Sequence, residues 1–309
     1  MGNQINLGKE KYYYPIILKN QHLDPFNITS EIELRAISKC EREEFFGLED
    51  VDFTFESVSG SGHLGLNQLF PSKSKKGRDS HSEWFRRGLF DGSLDIFASN
   101  YVLIIECSGS PDHIVQRLNL SFKLLKPTST GGYLGFRNNQ TDVHLHYSMP
   151  IHGPFDYLSL TATDLKEIQK IFILIENRKD DEKFKLLADL YDRSLQGGKV
   201  HMDIRFLLLA ISLESLYLPI QESELKYRLS IRAAKLLSNI KYGDAKDIFL
   251  KIKKIYDIRS KLVHSGKMKG VTSDIFSELT NIVRVSLIHY IENPNDFLED
   301  SLTAIVLST

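Results

Sequence analysis

The chain predicts an α+β fold: a β-rich N-terminal domain at 1–152 followed by an all-α helical bundle at 153–309. Three observations carry this. Over the first 150 residues apolar positions alternate, or run in short blocks between turn-forming residues. From about residue 163 the apolar period lengthens from two to 3.6. Between the two regimes lies His152-Gly-Pro-Phe155, a stretch of chain breakers suited to a domain boundary.

Strand candidates in the first half are 12–18, 31–38, 94–106, 115–125, 132–137 and 143–149. Tyr101-Val-Leu-Ile-Ile-Glu106 is an apolar run of the kind a strand buried on both faces shows. Leu118 to Leu124 alternates apolar and polar, as a half-buried strand does. Thr130-Gly-Gly132 supplies a turn. The triplet Tyr12-Tyr13-Tyr14 suits sheet packing. A short helix is expected to start at Glu41. Two polar loops follow, Ser57–Gly62 and the basic Pro71–Ser82, the latter read as a hairpin tip.

Seven helical segments follow. Thr163-Asp164 offers an N-cap for a helix to about Arg178. A second helix runs 182–196 and stops at Gly197-Gly198. The third, 202–218, is apolar almost all round, as a central bundle helix should be, and Pro219 ends it. A fourth spans 222–239. The fifth runs from about 244 towards His264, with Gly266 as its stop. The sixth, 273–292, would bury Ile275, Leu279, Ile282, Val283 and Tyr290. An amphipathic tail, 295–307, is expected to pack back on the bundle or on a second subunit. Short loops between these helices favour antiparallel neighbours.

Composition is that of an ordinary globular protein, with a formal net charge of −1. Two cysteines, Cys40 and Cys107, are too few for a disulfide framework and are expected as buried thiols. No run approaches the apolar length of a membrane span, and no signal peptide is legible, so a cytoplasmic protein without a membrane partner is expected. Charge is locally uneven: from Glu222 to Gly270 there are 13 Lys/Arg against 5 Asp/Glu.

That basic block contains Arg259 and His264. On a helix, Ile248, Ile252, Ile255, Arg259 and Leu262 share one stripe, so an arginine stands where the pattern asks for an apolar side chain. A guanidinium cannot shed its proton to relieve burial; it needs a carboxylate, a phosphate or water. A histidine close behind it adds a group that takes up and releases protons near neutrality. Five residues of unbroken helix separate them by about 140° and about 7.5 Å, so they would not face each other. Either the helix ends between them or two copies complete one site. The plain alternative is that Arg259 pairs with a bundle carboxylate such as Glu214, with His264 at the helix C-terminus.

The Arg-x4-His spacing of Arg259 and His264 resembles the signature of HEPN domains. Arg205–Pro219, Glu224–Leu237 and the block 255–264 resemble, in order and spacing, the corresponding helices of the Apea-like HEPN subgroup. The resemblance covers about 155–295. It implies a metal-independent endoribonuclease without cofactor, working as a homodimer. Arg259 would hold phosphate, and His264 would act as acid and base. An RNA 2′-hydroxyl would attack its own phosphate to leave a 2′,3′-cyclic end. It also implies an effector or toxin of prokaryotic antiviral defence, with the N-terminal domain sensing a trigger or docking a partner or neutraliser. Two positions depart from the pattern. Ser260 stands where many active members carry Asn, Asp or His, and Ser265 precedes Gly266 where much of the subgroup has glycine directly. A second reading in the same family is a catalytically silent module for dimerisation or RNA binding. If Arg259 is closed off by a carboxylate within one copy, that second reading is favoured.

Further substrate-binding candidates are Ser260, Lys261 and Lys267 beside the signature, joined by Lys269, and Arg228 and Arg232, which with Lys235 form a basic stripe. His144 and His146 lie two residues apart on a predicted strand, a spacing that can hold zinc, but no further ligand stands nearby and no metal site is expected. No phosphate-binding glycine motif is present.

Overall fold

The computed structural model describes residues 9–16, 18, 20, 22–38, 40–41, 100–127, 133–137, 143–146, 159–195, 201–220, 223–265 and 270–308. The chain divides into two compact units that interleave along the sequence. One takes Met1–Asp112, Gly131–Pro150 and Tyr157–Leu165; the other takes His113–Thr130, Ile151–Asp156 and Lys166–Thr309. The loops expected at 57–62 and 71–82, the turn at 130–132, the boundary at 152–155, and Lys267 and Lys269 lie outside the described residues, as does the expected helix at Glu41 beyond its first residue.

The first unit is built on an antiparallel sheet in the order β2-β3-β4-β1-β5-β6. The strands are β1 (Glu10–Ile16), β2 (Phe26–Thr29), β3 (Ile32–Ala36), β4 (Tyr101–Cys107), β5 (Tyr133–Arg137) and β6 (Val143–His146). Central β1 and β4 pair along their whole length, from Glu10 opposite Cys107 to Ile16 opposite Tyr101. Five consecutive residues of β4, Tyr101 to Ile105, are buried, as its unbroken apolar run predicts. Along β1, Tyr12, Tyr14 and Ile16 are the buried set, on one side of the pleat. β2 is four residues long, too short to register as a periodic pattern. After β3 the side chain of Glu41 accepts from Ser38 N and Oγ and forms a two-pronged ion pair with Arg35. Neither cysteine is the buried thiol expected: Cys40 is exposed, just past the sheet, and Cys107 is half-buried at the end of β4.

The second unit begins with a helix. Residues 115–125, expected as a strand, lie in helix α1 (Asp112–Leu125). Leu118 to Leu124 are all buried, including Asn119, Ser121 and Lys123, so the helix face that would reveal a 3.6 period is missing. The start signal was nevertheless present, since Ser110 Oγ accepts from Asp112 N and Pro111 occupies the first turn.

The other helices are α2 (Ala162–Asn177), α3 (Glu182–Leu195), α4 (Met202–Tyr217), α5 (Leu225–Asn239), α6 (Ala245–Ser265), α7 (Ser273–Glu292) and α8 (Glu299–Leu307), with a 3₁₀ turn at Pro294–Phe297. The N-cap of α2 is Thr161, two residues before the expected Thr163. Its hydroxyl accepts from Asp164 N, and Asp164 accepts from Thr161 N in return. Helix α4 runs through the core with Phe206, Leu209, Leu213, Leu216 and Tyr217 buried. The tail packs on its own bundle: Phe297 and Leu302 are buried, and the Phe297 ring lies 5.4 Å from those of Tyr217 and Tyr290. Among the described residues no helix is long and apolar enough to cross a membrane.

Candidate functional site

Helix α6 carries both signature residues, and it does not end between them: it runs without interruption to Ser265. Its buried side is Ile248, Ile252, Ile255, Ile258 and Leu262. Arg259 falls at the edge of that side. Across from it stands Glu214 of α4, towards which the guanidinium turns. Nη2 donates to Oε2 at 3.1 Å, and Nε lies 3.0 Å from Oε1. That second contact is close but misaligned, which leaves Nε buried without a hydrogen-bonding acceptor. The two side chains are 26% and 22% exposed, so the pair sits at the rim of the core rather than inside it. Burial pushes the Glu214 carboxyl above its ordinary range, against the lowering pull of the Arg259 charge.

His264 is exposed in the last turn of α6, on another face. At 100° per residue, His264 lines up with Phe249, Lys253, Tyr256 and Ser260 within an arc of about 80°, whereas Arg259 lies about 140° away. Arg259 and His264 therefore leave α6 on diverging faces, with the guanidinium turned to Glu214. Of the neighbouring candidates, Ser260 is half-buried on the His264 face and Lys261 is exposed.

Arg228 and Arg232, expected as RNA contacts, are committed elsewhere. Both donate to Glu299 at the start of α8, Arg228 at 2.7 Å and Arg232 through two nitrogens. Arg232 also donates to the backbone oxygen of Tyr217 at 3.2 Å and is 4% exposed. The two arginines hold Glu299 below the usual carboxylate range. Lys235, the third member of the stripe, reaches Ser308 O at 3.1 Å. The stripe is thus covered by the C-terminal helix.

Reading the residues in order missed a cleft between the start of α5 and the outer face of α6. It has a volume of about 850 Å³ and is lined by Glu224, Lys226, Tyr227, Phe249, Lys253 and Tyr256, among others. Tyr227 is 57% exposed and meets Phe249 edge-on at 5.9 Å; Lys253 Nζ lies 6.0 Å over the Phe249 ring. Lys226 pairs with Asp257 at 2.6 Å. The legible signal was Tyr227, an aromatic on the solvent side of α5; Tyr256 is half-buried and packs against the core.

Among the described residues no group of three His, Cys, Asp or Glu side chains could hold a metal ion. The backbone of His144 and His146 lies in β6, two residues apart. No protein-family model, no curated protein and no solved structure matches the chain.

Proposed function

We propose that the helical unit is a HEPN-like endoribonuclease module whose site is completed only when two copies meet, each supplying an Arg259–His264 pair. The observation that carries this is the unbroken α6: it holds the two residues on diverging faces, so a shared substrate requires a second chain. Exposed apolar side chains beside the pair fit such a meeting. Ile211 is 43% exposed one turn before Glu214, and Val263 is 52% exposed one turn after Arg259.

In this mechanism an imidazole of His264 takes the proton of an RNA 2′-hydroxyl. The new bond forms from O2′ to phosphorus as the bond to O5′ breaks. A protonated imidazole returns a proton to the departing 5′-oxygen. The guanidinium of Arg259 holds the phosphate and the charge growing on its free oxygens, which requires it to exchange Glu214 for the phosphate. DNA, with no 2′-hydroxyl, is spared. Prokaryotic antiviral defence is the setting this reading implies, with the sheet unit as sensor or partner-docking element.

The Arg259–Glu214 pair itself favours a second reading. A guanidinium already satisfied within one chain suits a silent dimerisation or RNA-binding module. Incubation of a mixed RNA pool with the dimeric full chain in EDTA separates the two. The nuclease reading expects cyclic-phosphate ends from the wild type and none from folded Arg259→Ala or His264→Ala variants. Intact RNA in all three samples supports the silent module, and equal cleavage in all three removes both residues from any catalytic role.

A further inference from the structure

We infer that the cleft between α5 and α6 is a stacking site for a base of single-stranded RNA, one that feeds the strand along α6 towards His264. This rests on the reading that the helical unit acts on RNA, and it assigns the part of the molecule that would grip the strand. Tyr227, Phe249 and Tyr256 present three aromatic rings around one opening, and Tyr227 leaves more than half of its surface to solvent. A large aromatic so exposed keeps much of its apolar ring in contact with solvent. Tyr227 and Phe249 meet edge-on rather than face to face, which leaves a ring face open to a planar guest.

The charges beside the rings decide which planar guest. Lys253 is exposed on the same rim as Phe249, whereas Lys226 at the opposite helix is paired with Asp257. A cation beside aromatic faces suits a base and its phosphate, since the ring takes the base and the ammonium of Lys253 takes the backbone.

Position supplies the rest. Phe249, Lys253, Tyr256, Ser260 and His264 follow one another at intervals of four, three, four and four residues on one face of α6. Tyr256 and His264 are separated by eight residues, about 12 Å along the axis, or three to four stacked nucleotides. A strand anchored by a base in the cleft thus extends along a single helix face to the histidine.

The test is equilibrium binding of a fluorescein-labelled single-stranded RNA dodecamer of mixed sequence to the full chain, by anisotropy, with His264→Ala in every sample to keep the RNA intact. Tyr227→Ala should weaken binding about 5- to 150-fold, while Tyr227→Phe, which keeps the ring, should bind as the parent does. Lys253→Gln should reduce the salt slope of log K by about 0.7, the share of one phosphate contact on a single strand. Equal affinity for the parent and Tyr227→Ala, or no RNA binding by the parent, overturns the assignment. Competition by poly-glutamate as effective as by unlabelled RNA overturns it too, in favour of an acidic protein partner. Because the readout is binding, ring-dependent affinity in a chain that never cleaves RNA leaves the cleft standing and removes only the nuclease reading.

Discussion

Lys123 of α1, 2% exposed, donates to Asp192 of α3 at 2.6 Å. A lysine so placed is tolerable only with its counter-charge, and its neighbours share in the fixing. The Tyr191 hydroxyl donates to Lys123 O at 3.1 Å, and Arg284 Nη1 donates to Leu124 O at 3.0 Å.

Removing one partner of this buried pair should cost far more than replacing the charge. Asp192→Ala strands an ammonium in the core and should destabilise by about 3 kcal/mol. Lys123→Met, similar in length and apolar, should lie within about 1 kcal/mol of wild type. Urea unfolding followed by far-ultraviolet circular dichroism reads both. A near-neutral Asp192→Ala would remove α1 from its place beside α3.

The Arg259–Glu214 pair should show coupling. Glu214→Ala leaves a half-buried guanidinium without its carboxylate, and a loss of about 1–3 kcal/mol is expected. In Arg259→Ala the carboxyl of Glu214, already raised by burial, loses the charge that opposes the rise. Its folded pKa rises further above its unfolded value, so the stability this one group contributes is full at low pH and is lost as pH rises through the folded pKa. The double variant should be more stable than the two single losses added together. Strict additivity would mean the contact carries no energy.

Glu299→Ala should undock the C-terminal helix. It takes away the carboxylate to which Arg228 and the buried Arg232 both donate, and should cost about 3 kcal/mol. Trypsin should then cut at Arg228 or Arg232 sooner than in the wild type, as mass spectrometry of early fragments would show. Unchanged cleavage at those sites would mean α8 is held by Phe297 and Leu302 alone.

Acid should loosen the edge of the sheet unit near Arg35. The Arg35 guanidinium and Ser38 hold Glu41 down to about 2. A depressed folded pKa contributes stability that is present above the ordinary carboxylate value near 4.5 and is lost as pH falls towards 2. With side chains 26% and 17% exposed, solvent screening limits the contribution to about 1–2 kcal/mol. Amide protection factors in β3 should fall between pH 4.5 and 2.5 in the wild type, and Glu41→Gln should show the low value throughout. A variant as protected as wild type at pH 5 would contradict the assignment.

The helical half of the fold is legible in the sequence because most of its helices are amphipathic, and the apolar α4 is bounded by an unambiguous breaker. Pro219 stands beside the observed end of α4, and most helix boundaries fall within one or two residues of expectation. Helix α1 reads as a strand because Leu118, Leu120, Phe122 and Leu124 alternate, and because its second half, buried on every side, hides the 3.6 period. The Arg259–Glu214 contact was legible as an alternative because a core-edge arginine demands a carboxylate. The commitment of Arg228 and Arg232 to Glu299 was not, since a partner some seventy residues away leaves no local trace.

The interleaving of the two units bears on the birth of the chain. Leu124 O and the Arg284 side chain that donates to it are separated by 160 residues. At a ribosomal pace of about 5–20 residues per second, α1 emerges roughly 8–32 seconds before that partner exists. For that interval its leucines and phenylalanine are a sticky segment in want of temporary cover. A shortened gene product beginning at residue 153 would pose the converse problem: the later helices would be made without the one they close upon.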